Sequence, residues 1–125
     1  AVRRGSEFVT NDVEIVRDYV HPTDLGDLVS RCVRAQGQNR PLDVYSSRPA
    51  KKSEIVRAFQ ERFALRVKIV QGPQGASPTG VKSCYASNNH AAEQALGYVP
   101  RHTSLEALVD ETQALLSLSP RGPRG

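Results

Sequence analysis

Arg17 is the residue of this chain best placed to do chemistry. It stands in Glu14-Ile15-Val16-Arg17-Asp18-Tyr19-Val20-His21, a β-branched run that reads as a strand over 14–21. Period-two alternation sets Ile15, Arg17 and Tyr19 on one face and Val16, Asp18 and Val20 on the other. A guanidinium held on a strand suits one of two tasks. One is a structural pair with a carboxylate. The other is a fork for a phosphate, which Arg matches better than Lys does. Asp18, on the opposite face, cannot neutralise it directly. Position alone leaves both tasks open.

The remaining reactive side chains form no set. His21, His90 and His102 are scattered. Asn88-Asn89-His90 stands at a helix start, where capping is the simpler role. No His-x-x-x-His or Cys-x-x-Cys pair occurs, so no metal site is expected. The stretch "QGPQGASPTG" at 71–80 is glycine-rich, yet it matches neither a P-loop nor the G-x-G-x-x-G fingerprint. Its length marks a functional or mobile loop. No nucleophile stands with a base, so no catalytic residue is assigned.

These residues need elements to position them. Phe8-Val9-Thr10 reads as a short strand. Thr23 or Asp24 caps a helix to about residue 35, with Leu25, Leu28, Val29, Cys32 and Val33 on its apolar face. Residues 42–46 read as a strand, 51–63 as a helix and 65–70 as a strand. A helix of 90–96 closes on Gly97, and a last helix opens near Ser104 and reaches about 118. Residues 119–125 read as a disordered tail, leaving one domain over 1–118. Alternating strands and helices give an α/β (α+β) fold. The helical stripes are wider than so small a sheet can cover, which points to a missing partner surface.

Composition narrows the partners. The chain has 125 residues and a formal charge of +4. The basic excess is diffuse and aromatics are 6%, so neither a phosphate-tracking stripe nor a base-stacking platform is expected, and nucleic acid is not the partner. A small phosphorylated ligand is the first candidate. The two cysteines are too few for a disulfide framework, and Cys32 on its helical stripe reads as a core thiol. No apolar run approaches the ~20 residues that span a bilayer, no leader is evident, and a reduced cytoplasmic setting is expected.

Three separated segments carry a resemblance. Arg17-Asp18-Tyr19-Val20-His21-Pro22-Thr23-Asp24-Leu25 resembles the R-D-[YF]-[VI]-H-V-x-D-[LV] segment of extended short-chain dehydrogenases/reductases, the NAD-dependent epimerase/dehydratase family of nucleotide-sugar enzymes, with Pro22 in place of the usual Val. Asp43-Val44-Tyr45-Ser46-Ser47, then Glu54-Ile55, is similar to N-x-G-x-G-x-x-x-S-x-x-E-[LI], with both glycines lost. Ala92-Glu93-Gln94-Ala95-Leu96-Gly97-Tyr98-Val99-Pro100, then Ser104-Leu105-Glu106, is similar to A-x-x-x-L-G-[WY]-x-P-x-x-[ST]-L-E. The resemblance runs over about residues 5–118.

It implies the small C-terminal substrate-binding lobe of such an enzyme, without the N-terminal Rossmann half. The family's glycine-rich NAD(P) turn and Tyr-x-x-x-Lys pair have no counterpart in these residues. The implied partners are therefore a nucleotide sugar and the missing Rossmann domain. NAD(P) is expected in the full-length enzyme and not on this chain, which is expected to be inactive alone. By the same resemblance Arg17 contacts the sugar-nucleotide diphosphate and Phe8, Val9 and Thr10 lie against the base. The family's second Arg, in R-P-G-D, falls on 78–81, where only Gly80 survives. Lys82 is then the cation near the same phosphate, as a point charge. The family's helix matching 24–35 packs on the Rossmann half, so homo-oligomerisation of the isolated chain is expected. The competing reading is a stand-alone, non-catalytic α/β binding or interaction module.

Overall fold

A computed structural model describes residues 1–37, 39–72 and 82–118. A short 3-10 turn, Val2–Arg4, precedes β1 (Phe8–Asn11), β2 (Val16–Arg17), α1 (Pro22–Arg34), β3 (Ala50–Lys51), α2 (Lys52–Phe63), β4 (Val67–Val70), β5 (Cys84–Tyr85), α3 (Ala91–Leu96) and α4 (Ser104–Ser117). The strands form two small sheets. β1 pairs in parallel with β4, Phe8 opposite Val67 and Asn11 opposite Val70. β2 is the centre of the other sheet, antiparallel to β3 and parallel to β5. This mixed arrangement is the expected α/β (α+β) class.

The helices keep close to their sequence limits because their ends are chemically marked. α1 opens with Pro22, whose missing N–H costs nothing in a first turn. Its cap is His21, not Thr23 or Asp24: His21 Nδ1 accepts from the Thr23 amide at 3.2 Å. Thr103 and Glu106 close a reciprocal box on α4, the Thr103 hydroxyl accepting from the Glu106 amide at 3.2 Å and the Glu106 carboxylate accepting from the Thr103 amide at 2.8 Å. α3 ends on Gly97 at φ 64°, a left-handed position that a Cβ would strain.

Two expected strands are cut down, for one reason. The run 14–21 ladders only at Val16–Arg17, and 42–46 forms no strand. Their backbone donors go to side chains instead. The Ser46 amide donates to both Asp18 carboxylate oxygens at 3.2 Å, and the Tyr19 amide donates to Ser104 Oγ at 2.8 Å. Ser104 Oγ–H donates to Asp18 Oδ1 at 2.9 Å, so one carboxylate ties β2, the 42–46 segment and α4 together. Such a buried polar knot is stable only when its members are satisfied.

The core is small. Leu28, Tyr45, Ala92 and Tyr98 form it, with Leu42 and Leu96 packed against it. Tyr98 donates its hydroxyl to the Tyr45 carbonyl at 2.8 Å, and burial pushes the phenol up to about 12. α1 contributes only Leu28 to this cluster. Leu25, Val29 and Val33 remain 45%, 52% and 81% exposed. Cys32 is exposed as well, against the expectation of a core thiol. The apolar stripe of α1 is wider than the contact with α3 that covers it, and Cys32 lies on the uncovered side.

Candidate functional site

The three-stranded sheet places Arg17 at the lip of a cavity. Register sets Arg17 opposite Ala50 on β3 and Tyr85 on β5. Its guanidinium lies over the Tyr85 ring, 4.8 Å from the centroid. A cation over an aromatic face is held electrostatically. The guanidinium makes no hydrogen bond among the described residues, so its N–H donors are those a fork to an anion would use. Among the described residues no carboxylate pairs with Arg17, so the structural ion pair allowed by sequence is not formed there.

The cavity holds about 300 Å³ and is lined by Phe8, Ile15, Arg17, Tyr19, Lys52, Ile55 and Val56. Ile15, Arg17 and Tyr19 thus share a face, as their alternation requires. Lys52 is a second cation that sequence reasoning missed. Its Nζ donates to the Asn11 carbonyl at 2.6 Å and to Asn11 Oδ1 at 3.0 Å, which fixes it between β1 and α2. A cavity of apolar walls with two cations on its rim suits an anionic group carried on a less polar body.

The other expected site residues are dispersed. Phe8 lines the Arg17 cavity. Val9 is 56% exposed and lines none of the cavities around the site. Thr10 opens on a neighbouring hollow of about 220 Å³ that shares Lys52 and Val56 with the first. Lys82 is exposed two positions before β5, whose Tyr85 meets Arg17. The glycine-rich loop lies outside the described residues from 73 to 81. A wider cavity, about 410 Å³, runs between α2, α4 and the N-terminal turn. Its walls are chiefly Val2, Ile55, Phe59, Leu65 and Leu115, with Arg3 the sole charged side chain. It is an apolar groove with little to orient a phosphate.

Beside this site, α1 and α4 meet through an acid and two imidazoles. Asp24 is 3% exposed. Its carboxylate accepts from the Arg101 amide at 3.2 Å, the His102 amide at 3.0 Å and His102 Nδ1 at 3.0 Å. Burial pushes Asp24 up, but these three bonds outweigh it and hold the carboxyl below its ordinary range. The His21 and His102 rings stack with centroids 4.0 Å apart.

No helix among the described residues is long and apolar enough to cross a membrane. No family model matches the chain. It is 25% identical over 109 residues to a UDP-glucose 4-epimerase of Lacticaseibacillus casei, covering 85% of this chain and 32% of that protein. It is 29% identical over 108 residues to the UDP-glucose 4-epimerase of Azospirillum brasilense, covering 84% of this chain and 30% of the relative. The chain therefore spans about a third of the length of the curated relatives it matches. In fold it is similar to MoeE5 solved with UDP-glucose and NAD, at TM-score 0.68 and 18% identity, covering 93% of this chain and 40% of that one. It is similar also to RMD from Pseudomonas aeruginosa complexed with NADPH, at TM-score 0.65 and 16% identity, covering 91% and 40%. The sequence relatives and the fold agree with the motifs around Arg17 and Gly97: the chain is similar to a portion of extended short-chain dehydrogenases/reductases of the NAD-dependent epimerase/dehydratase type.

Proposed function

We propose that the chain is the C-terminal substrate-binding part of an NAD(P)-dependent nucleotide-sugar epimerase, dehydratase or reductase, and that Arg17 holds the substrate diphosphate. One observation carries this reading: Arg17 lines the 300 Å³ cavity, its guanidinium over Tyr85, unpaired by any carboxylate among the described residues, with Lys52 lining the same cavity. Phe8 gives the cavity an aromatic wall on the side where the base is expected. Lys82, exposed two positions before β5, is the further cation, and Thr10 opens on the hollow next to the cavity while Val9 stands between Phe8 and Thr10 on β1. A setting without a membrane, in the cytoplasm, accords with this role.

The role is binding and orientation, not proton transfer. In the whole enzyme the NAD(P) supplies hydride transfer to and from a sugar carbon. These residues fix the far end of the substrate, so that its binding energy is spent on holding the sugar against the cofactor. The cofactor is assigned to the other half of the enzyme. Three strand-to-helix junctions are described, and none carries a glycine-rich turn. His21 and Pro22 close the first, and Lys51 runs straight into α2 at the second, with its amide donated to Glu54 at 2.8 Å. At the third, before α3, the Ala91 amide donates to Asn89 Oδ1 at 3.1 Å. A fluorescence titration of the chain with NAD(P)H is expected to show no binding in the micromolar range. Micromolar binding contradicts the assignment of the cofactor to another domain.

The uncovered side of α1 belongs to the same reading. Leu25, Val29, Cys32 and Val33 form a contiguous apolar stripe that the Rossmann half would cover. The chain by itself is expected to self-associate through it. Sedimentation velocity should show the mean sedimentation coefficient rising with concentration. A single monomeric boundary at high concentration contradicts this.

The direct test of the function is calorimetric titration of UDP-glucose and dTDP-glucose into the enzyme complete with its cofactor domain. Saturable binding that free UDP or dTDP displaces is expected. Binding of neither sugar nucleotide contradicts the proposal.

A further inference from the structure

We propose that His21, His102 and Asp110 form a binding site for a zinc-type dication that clamps the start of α1 to α4. Their candidate donor atoms all lie within 4.8 Å of one another. His21 Nε2 is 3.9 Å from Asp110 Oδ2 and 4.0 Å from Glu111 Oε1. The two imidazoles are largely sheltered, their side chains 12% and 29% exposed, while both carboxylates stand at the surface and are free to turn inward. Nothing in the local sequence joins these residues. Only the packing of α1 against the 97–104 segment and α4 does.

The donor chemistry is that of zinc. Two imidazole nitrogens and one carboxylate leave a fourth position for water or for Glu111. The outer bonds are already in place. Asp24 accepts from His102 Nδ1 at 3.0 Å, which leaves Nε2 of that ring as the lone-pair nitrogen. His21 Nδ1 lies 2.8 Å from Thr23 Oγ1. Ligation through His21 Nε2 uses the tautomer in which Nδ1–H donates to that hydroxyl and gives up the longer bond from the Thr23 amide. The rings stack at 19°, so ligation requires one ring to swing out of the stack until its Nε2 lone pair converges with that of the other. Bonds of about 2.0–2.2 Å in a tetrahedron place donors about 3.4 Å apart, which a side-chain rotation of one imidazole and one carboxylate rotamer would supply.

The test is titration of the chain with Zn²⁺ alone, in a Cys32→Ser/Cys84→Ser background that removes both thiols as competing ligands. One equivalent is expected to bind. A hundredfold excess over Kd is expected to raise Tm by roughly 10 °C, reversibly with a chelator. His102→Gln should abolish both effects. So should Asp110→Asn/Glu111→Gln, which alters only exposed side chains of α4 and so decides the matter even if His102→Gln fails to fold. Absence of stoichiometric binding, or a zinc shift that survives in either folded variant, overturns the site.

Discussion

Replacing Asp24 by alanine is expected to destabilise the fold by about 2–4 kcal/mol. The carboxylate is almost wholly buried and takes the amide N–H groups of Arg101 and His102 together with the His102 ring. Truncation removes an acceptor and leaves two backbone donors without partners, each costing about 1–3 kcal/mol where water cannot reach. Asp24→Asn should recover only part, since its amide turns donors toward donors. The same bonds give the stability a pH signature. The folded-state pKa of Asp24 is depressed below that of the unfolded chain. Its contribution is therefore complete above the unfolded value of about 3.9 and is lost as pH falls through the folded one. Urea midpoints at neutral pH and in acid should converge between wild type and Asp24→Ala as the acid limb is descended. Equal midpoints at neutral pH contradict this assignment.

How much of this was legible in the sequence depends on the distance over which each feature is decided. Helices are decided locally. Pro22, Gly97 and the Thr103–Glu106 box mark their own ends, and the observed limits follow them. Strands are decided by where donors find acceptors. The alternation of 14–21 and 42–46 is genuine, yet Asp18 and Ser104 draw the Ser46 and Tyr19 amides away from any ladder. Nothing near either run announces this, because Ser104 and Asp18 meet only across the fold. Cys32 was misplaced because periodicity shows a stripe without showing how much of it a neighbour covers. Arg17 was legible from its residue type and strand position. Tyr85 and Lys52 were not, since the pairing of β2 with β3 and β5 brings them to it. The histidine pair escaped for the same reason.

Arg17→Ala is expected to weaken sugar-nucleotide binding roughly ten- to a hundredfold, because a charge-assisted fork to a phosphate is worth about 1.5–3 kcal/mol. Arg17→Lys should recover part of this, for an ammonium keeps the charge and lacks the fork. Stability should change little. The side chain is exposed, and removing it forfeits one contact with the Tyr85 ring, worth about 0.5–1 kcal/mol at such a site.

The measurement that separates a substrate ligand from a structural residue is therefore a pair of numbers on one variant. These are the UDP-glucose or dTDP-glucose Kd and the urea midpoint of Arg17→Ala, each against wild type, in the enzyme complete with its cofactor domain. A Kd raised at least tenfold with a near-constant midpoint is the predicted result. An unchanged Kd with a large fall in the midpoint would show that Arg17 holds the fold and not the diphosphate.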